Sequence, residues 1–150
     1  MDEHVYTSHN KTLLLYHLVI QANRATMVFI PEVEESLKEI CVEIEYKREI
    51  RFVEIGLEED HVHMLVQALP TIPLTRIVTI IKSLTERDIF RRHPNIKKDI
   101  LWGGALWKSG YHAHTVGLPE SRDTIKEYMQ DQGHPDDYKK VYDGQIELGF

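Results

Sequence analysis

The pattern of apolar and polar positions divides the chain into alternating strand and helix segments. Thr12 to Gln21 is apolar enough to form a central strand. Ile50 to Gly56 and His61 to Leu69 are rich in apolar and β-branched residues, and the short polar connection Leu57 to Asp60 is typical of an antiparallel hairpin. A further strand is expected at Tyr111 to Val116. The pattern therefore predicts four strands, two of them joined in a hairpin.

Helical spacing of apolar residues fills the longer gaps between these strands. Pro31 opens a helix that should end near Tyr46 or Lys47, and a second helix is expected from about Leu74 to Arg92, where Pro94 stops it. A third helix is expected from about Ser121 to Gln132, closed by the glycine that follows it. The chain is thus predicted to hold two helices between strands and one after the last strand.

The order β-α-β-β-α-β with an extra helix predicts an α+β protein with a ferredoxin-like antiparallel sheet. In this fold both crossover helices cover one face of the sheet. Val62, Met64 and Val66 would pack under the helices, leaving His61 and His63 on the open face. A length of 150 residues suits one core, so we expect 1–150 to form a single domain.

Composition narrows the class of protein. Hydrophobic residues make up 42% and charged residues 28% of the chain, as in ordinary globular proteins. The lone Cys41 cannot form an internal disulfide, and no basic leader with an apolar core precedes the first strand. No apolar run approaches the roughly 20 residues that span a bilayer. We expect a soluble cytoplasmic protein without a membrane partner.

The segment Asp60-His61-Val62-His63-Met64 carries the clearest chemical signal. Two imidazoles that are two positions apart in a strand emerge side by side on one face. Such a pair can hold a divalent metal ion, although a histidine in a strand is most often an ordinary core or surface residue. The pattern is a hypothesis for a metal site.

The predicted third helix adds Tyr128 and Gln132, which are neighbours on one helix face at positions i and i+4. A tyrosine is a poor nucleophile at its free pKa of about 10. An adjacent cation that favours the phenolate would activate it. Alternatively, both residues are ordinary polar positions of an amphipathic helix, and the pattern alone leaves this open.

Charge gives an ambiguous indication about nucleic acid. A net charge of −6 argues mildly against a phosphate-rich partner. Basic residues are nevertheless concentrated between residues 76 and 108, and helical periodicity brings Arg76, Arg87 and Arg91 into one stripe. The stripe is either a DNA contact or a solvated helix face.

Four blocks together resemble one known family. They are Tyr16-His17-Leu18-Val19, the hairpin strand from Asp60 to Val66, the stretch from Tyr111 to Gly117, and the helix segment from Ile125 to Gln132. In this order and spacing they resemble the single-tyrosine HUH transposases of the smallest bacterial and archaeal insertion sequences, the IS200-like transposases. HUH denotes two histidines that flank a hydrophobic residue. The resemblance covers about residues 13–132.

The resemblance implies a function and a site. His61, His63 and Gln132 would bind Mg²⁺ or Mn²⁺, and Tyr128 would attack a phosphate of single-stranded DNA to give a 5′-phosphotyrosine and a free 3′-hydroxyl. Members of the family act as homodimers in which the tyrosine helix of one subunit completes the histidine site of the other, and they recognise imperfect hairpins at element ends. The candidates for DNA contact are Arg24, Arg76, Lys82, Arg87, Arg91 and Lys108.

Three features depart from the family pattern. The loop Gln21 to Thr26 has a single cation, which puts DNA affinity in doubt more than chemistry. His112 and His114 form a second His-x-His, expected near the sheet edge as DNA contacts or inert residues. The tail from Asp136 to Phe150 is expected to pack against a dimer partner or to stay flexible. The alternative function is a non-catalytic, ferredoxin-like nucleic-acid-binding regulator or a domesticated relative, although a catalytically dead protein has little reason to keep both histidines, the tyrosine and the glutamine.

Overall fold

Five strands form one antiparallel sheet in the computed structural model of the protein, which describes residues 13–117 and 138–144. Their order across the sheet is β4-β1-β3-β2-β5. The first four have the order of a ferredoxin-like sheet. The strands are β1 Leu14–Gln21, β2 Ile50–Glu58, β3 His61–Ala68, β4 His112–Gly117 and β5 Tyr138–Asp143.

The hairpin between β2 and β3 is tighter than predicted. The connection was expected to span Leu57 to Asp60, but Leu57 is buried against the core and pairs with Val62. The ladder closes with Glu58 opposite His61, so only two residues form the turn. The sequence pattern assigns Leu57 to the polar connection, but its apolar side chain is stabilised by burial, and this extends strand β2.

The two long predicted helices are confirmed, and two short helical segments accompany them. The helices are α1 Ala25–Val28, α2 Pro31–Lys47 and α3 Leu74–Arg92, followed by a π-helical turn at Ile96–Ile100. The short segments were missed because four or five residues are too few to show helical periodicity. The helix predicted from Ser121 to Gln132 lies outside the described residues.

The main core lies between one face of the sheet and the helices. Val62, Met64 and Val66 are fully buried there, as predicted, and they share a cluster with apolar residues of α2 and α3. Cys41 of α2 belongs to the same cluster and is a free thiol. Within 13–117 and 138–144, no helix is long and apolar enough to cross a membrane.

The other face of the sheet, called here the histidine face, carries Leu15, His17, His61, His63 and Leu65. The prediction that this face is open is wrong at its centre, where His17 is 1% and His63 5% exposed. Leu15 and Leu65 pack there with Val53 in a second apolar cluster, which Val116 and Tyr138 also contact. The second cluster packs beside these buried histidines, whereas the His61 end of the face and its β4 edge are at least partly exposed.

Strand β5 corrects the expectation for the tail. Residues Tyr138–Asp143, expected to pack on a partner or to stay flexible, pair instead with β2 of the same chain. An edge strand presents unpaired N–H and C=O groups, which β5 satisfies. Two further contacts hold it, since Tyr142 packs on the core and Lys139 Nζ lies 2.7 Å from Glu34 Oε1 on α2.

Candidate functional site

His61 and His63 lie side by side on the histidine face of β3, as the strand pattern predicted. Gln21 of β1 is opposite His61, and Val19 is opposite His63. The two rings differ in exposure, because the side chain of His61 is 40% exposed whereas His63 is buried. One imidazole of the pair therefore faces solvent, and the other lies inside the protein.

Asp60 fixes the orientation of the His61 ring. Nδ1 of His61 lies 3.0 Å from Asp60 Oδ1, and a carboxylate can only accept, so Nδ1 carries the hydrogen. Gln21 Nε2 donates to Asp60 Oδ2 at 2.6 Å. This bond is the main reason that the pKa of Asp60 lies below its usual value, with His61 and Lys108 adding to it. The arrangement leaves Nε2 of His61 as the lone-pair nitrogen, as in carboxylate-supported metal ligands.

His63 has protein partners on both ring nitrogens. Nε2 lies 3.0 Å from Glu58 Oε1, and Nδ1 lies 2.9 Å from His17 Nε2. Because the carboxylate accepts from Nε2–H, a neutral His63 must accept from His17 Nε2–H at Nδ1. Burial lowers the pKa of both histidines, which keeps them neutral near pH 7. Glu58, His63 and His17 therefore form a buried hydrogen-bonded chain.

His17 of β1 belongs to the first of the four sequence blocks, and the sequence pattern predicts no role for it. Its ring is tilted by 21° from the plane of the His63 ring, with centroids 5.2 Å apart, so the two rings meet edge to edge through their hydrogen bond. Its contribution depends on the register of β1 against β3, because His17 pairs with Leu65 and reaches His63 diagonally. No local motif encodes that register.

The buried position of His17 predicts a loss of stability in acid for the metal-free protein. Burial, followed by repulsion from His63 and His114, lowers the pKa of His17 from 6.5 to about 4. Between these values the unfolded chain binds a proton that the folded chain does not, so stability present above pH 6.5 is lost as the pH falls towards 4. We expect a contribution of up to about 1.4 kcal/mol per pH unit within that window.

Urea unfolding at several pH values tests this expectation. The free energy of unfolding of the wild type should fall between pH 6.5 and pH 4, and that of His17→Gln, which has no titrating group there, should fall less steeply. Equal slopes for the two proteins would contradict a buried neutral His17.

Tyr138 of β5 closes the other side of His63. Its ring meets the His63 ring edge-on with centroids 5.8 Å apart, and its hydroxyl donates to Glu54 Oε2 at 2.6 Å. Lys140 Nζ lies 3.5 Å from the other oxygen of Glu54. Burial, with the bond to Glu54, raises the pKa of Tyr138 far above its usual value. Tyr138 is therefore a neutral phenol that packs against the histidine, and it is poorly suited to act as a nucleophile.

Gly56 makes room for Tyr138, which gives a second prediction. A Cβ at position 56 would overlap the hydroxyl and ring of Tyr138. We expect Gly56→Ala to lower the free energy of unfolding by about 1–3 kcal/mol, typical of overpacking, and to speed amide hydrogen exchange in β5. In a Tyr138→Ala background the same change should cost much less. An equal cost in both backgrounds would show that the clash does not involve Tyr138.

His112 and His114 lie on β4, at the edge of the described sheet, as expected. His114 pairs with His17, with ring centroids 6.3 Å apart, and His112 pairs with Val19. Strand β1 separates both residues from β3. The second His-x-His therefore shares the histidine face with the first pair but lies one strand further away, and both of its side chains are exposed.

The described residues supply only part of a metal-ligand set. Within 13–117 and 138–144, no group of three or more histidine, cysteine, aspartate or glutamate side chains is arranged to hold an ion. His61 fits a ligand role through Nε2, whereas Nε2 of His63 is bonded to Glu58. Tyr128 and Gln132 lie outside the described residues, so the sequence predictions for them stay predictions.

Three of the predicted DNA-contact cations, Lys82, Arg87 and Arg91, make polar contacts within the protein. Lys82 Nζ donates to the carbonyls of Lys108 and Gly110 at 2.9 and 3.2 Å, so it holds the loop before β4. Arg87 and Arg91 flank the buried carboxylate of Asp88 at 3.0 and 3.4 Å. The side chains of Arg87 and Arg91 are about two-thirds exposed, which leaves them accessible to solvent.

The remaining candidates differ in their surroundings. Lys108 Nζ lies 3.9 Å from Asp60 Oδ2, close to the His61 ring. Arg24 lies over the ring of Trp102. Arg76 lines a shallow cleft of about 260 Å³ beside the start of β2. Lys108 is the cation most directly tied to the paired histidines.

Solved structures share this fold. A crystal structure of a candidate transposase from Deinococcus radiodurans R1 matches with a TM-score of 0.62 at 30% identity, over 81% of this chain and 92% of that one. A bacterial tRNA(His) guanylyltransferase (Thg1)-like protein in complex with GTP matches with a TM-score of 0.51 at 12% identity, over 86% of this chain and 66% of that one, and shows the fold alone. The strand order and the packing of the helices against the sheet define the chain as an α+β protein with a ferredoxin-like sheet, and this sheet carries the paired histidines.

Sequence comparison narrows the class to a family. The family model for the IS200-like transposases matches residues 10–132, a stretch that includes both histidines of β3, Tyr128 and Gln132. The ISDra2 transposase TnpA of Deinococcus radiodurans is 31% identical over 119 residues, 79% of this chain and 84% of that protein. The chain belongs to the IS200-like transposase family. The resemblance predicted from four sequence blocks is confirmed.

Proposed function

We propose that this transposase cleaves and rejoins single-stranded DNA at the ends of an insertion sequence, with Tyr128 as the nucleophile. The observation that carries the proposal is the support of His61 by Asp60, because it prepares Nε2 of a partly exposed imidazole for a metal ion beside a second histidine. Membership in a transposase family supplies the substrate class, which is DNA.

A divalent cation, Mg²⁺ or Mn²⁺, fits the donors at the His61 end of the histidine face. His61 would bind it through Nε2, His63 through the nitrogen that now contacts Glu58, and Gln132 through its side-chain oxygen. When bound, the ion polarises a phosphoryl oxygen and stabilises the negative charge that develops in the transition state. Glu58 would have to release Nε2 of His63, and Nδ1–H of His63 would then donate to His17.

The reaction is a transesterification. The hydroxyl oxygen of Tyr128 forms a bond to phosphorus, its proton passes to solvent, and the bond from phosphorus to the 3′-oxygen breaks. The 3′-oxygen takes up a proton and leaves as a hydroxyl, while the 5′ side stays joined to the tyrosine. A later 3′-hydroxyl can attack the same phosphorus and release the tyrosine, so strands are rejoined without ATP.

The partners follow from the same proposal. The DNA would be single-stranded hairpins at the element ends, held by the exposed cations. A homodimer would let the tyrosine helix of one subunit complete the histidine site of its partner. The compartment would be the cytoplasm, where the element's DNA lies.

The experiment that tests the proposal detects a covalent protein–DNA product. The protein is incubated with a labelled single-stranded oligonucleotide copied from the DNA flanking its coding sequence, with Mg²⁺, with Mn²⁺ or with a chelator. A labelled band that survives denaturation only with metal supports the proposal. Binding without any such band would instead favour the non-catalytic regulator, for which the full engagement of His63 by protein partners is the favourable observation.

A further inference from the structure

Trp102 is a tryptophan displayed on the surface. It is 73% exposed, the highest exposure among the large hydrophobic side chains of the described residues. One face of its ring is covered by the guanidinium of Arg24, whose central carbon lies 4.1 Å from the ring centroid. Such a cation–π contact is favourable, and it also holds the indole in one orientation.

The backbone on both sides of this stack is held in an uncommon conformation. Arg24 and Trp102 both have a φ of 50°, in the left-handed region that side chains other than glycine rarely adopt. Gly103, with a φ of 84°, donates its N–H to the carbonyl of Lys97 at 2.7 Å. The side-chain amide of Asn23 donates through Nδ2 to the carbonyl of Ala105 at 2.9 Å. Strained residues persist only where their surroundings hold them, and they cluster at functional sites.

The stack is connected to the end of the sheet that carries His61. Ala22 donates its N–H to the carbonyl of Asp60 at 2.9 Å, and it forms a bridge with Trp107. Arg24 lies shortly after Ala22 in the chain, and Trp102 lies shortly before Trp107. Lys97 precedes Trp102 in the sequence and Lys108 follows it, so the chain carries a lysine on each side of this tryptophan.

We propose that Trp102 is a stacking platform for an unpaired nucleobase of the DNA strand that enters the histidine site. The guanidinium covers one face of the indole, and the second flat face can stack on a base. The occupant is a base of single-stranded nucleic acid, because bases in a duplex are already stacked on both sides. Arg24 orients the indole and adds positive charge next to the phosphates. This inference rests on the proposed function for its substrate class.

Fluorescence of the two tryptophans allows a direct test. The probes are an oligothymidylate of about 20 nucleotides and a deoxyribose-phosphate strand of the same length without bases. Stacking of a base should quench Trp102, whereas Trp107, buried with its Nε1–H donating to Thr85 at 3.0 Å, supplies an unchanged background. Quenching is expected with the base-carrying strand and not with the base-less strand.

Affinity measurements with matched variants separate stacking from other roles. We expect Trp102→Leu to weaken binding of oligothymidylate about tenfold, within the range for one stacked base, and to leave binding of the base-less strand unchanged. Trp102→Phe, which keeps an aromatic face, should retain most of the affinity. Tyr46→Leu is the control, because Tyr46 is also 70% exposed but lies on α2.

The outcomes distinguish this inference from the proposed function. A Tyr128-dependent covalent product together with an unchanged affinity in Trp102→Leu would overturn the stacking platform alone. An equal loss for both strands would also overturn it, since it would indicate a contact to the backbone or a structural role. Selective loss for the base-carrying strand would support it even in the absence of a covalent product.

Discussion

Replacement of Tyr128 by phenylalanine is expected to abolish the covalent protein–DNA product while single-stranded DNA still binds. The substitution removes one oxygen, which is the atom proposed to form the bond to phosphorus, and keeps the aromatic ring. No other change removes the nucleophile so selectively. The expected loss is complete within the detection limit of a denaturing gel, measured with the flanking-sequence oligonucleotide and Mg²⁺ or Mn²⁺.

Tyr138→Phe provides the matched control for this variant. Tyr138 lies against His63, but its hydroxyl donates to Glu54 and its pKa is raised, so it should not react. The control should therefore form the covalent product at a rate close to that of the wild type. If Tyr128→Phe still formed the product and Tyr138→Phe did not, the assignment of the nucleophile would be wrong.

Replacement of His61 by alanine is expected to slow strand cleavage by about 10²–10⁴-fold. A metal ion that stabilises charge in the transition state contributes several kcal/mol, and each 1.36 kcal/mol corresponds to tenfold in rate. His61 is the better of the two histidines to change, because it is partly exposed and lies outside the buried chain of His17, His63 and Glu58. Its removal should leave the free energy of unfolding nearly unchanged.

Single-turnover cleavage over a series of Mn²⁺ concentrations measures this effect, and the paramagnetic resonance of bound Mn²⁺ reports metal affinity separately. His112→Ala is the matched control, since His112 belongs to the second His-x-His and lies on the edge strand β4. Equal losses in the two variants would contradict the choice of the β3 pair as the metal site.

The sheet and its two covering helices could be predicted because their signals are local. Strand alternation placed Val62 and Met64 under the helices, and helical spacing with Pro31 fixed α2. Strand β5 could not be predicted, because Tyr138–Asp143 has no regular alternation and is stabilised by pairing with the distant edge of β2. Likewise, the burial of the histidine face depends on Val53, Leu65 and other residues that the sequence separates widely.

The site could be predicted in part for the same reason. His61 and His63 form a local pattern, and their common face follows from strand geometry. The partners of these histidines could not be predicted from a local pattern. His17 reaches His63 through the register of two strands, Glu58 reaches it across the hairpin, and Tyr138 reaches it through an unpredicted strand. The stack of Arg24 on Trp102 depends on left-handed backbone at both residues, which no composition rule indicates.

Mass spectrometry of the purified covalent product shows which residue of the protein is joined to DNA and through which phosphate. After digestion of the protein and trimming of the DNA, we expect a single modified peptide with the nucleotide linked through its 5′-phosphate to Tyr128. A linkage to Tyr138 or to another residue, or a wild-type protein that forms no covalent product with the DNA of its own flanks, would contradict this expectation.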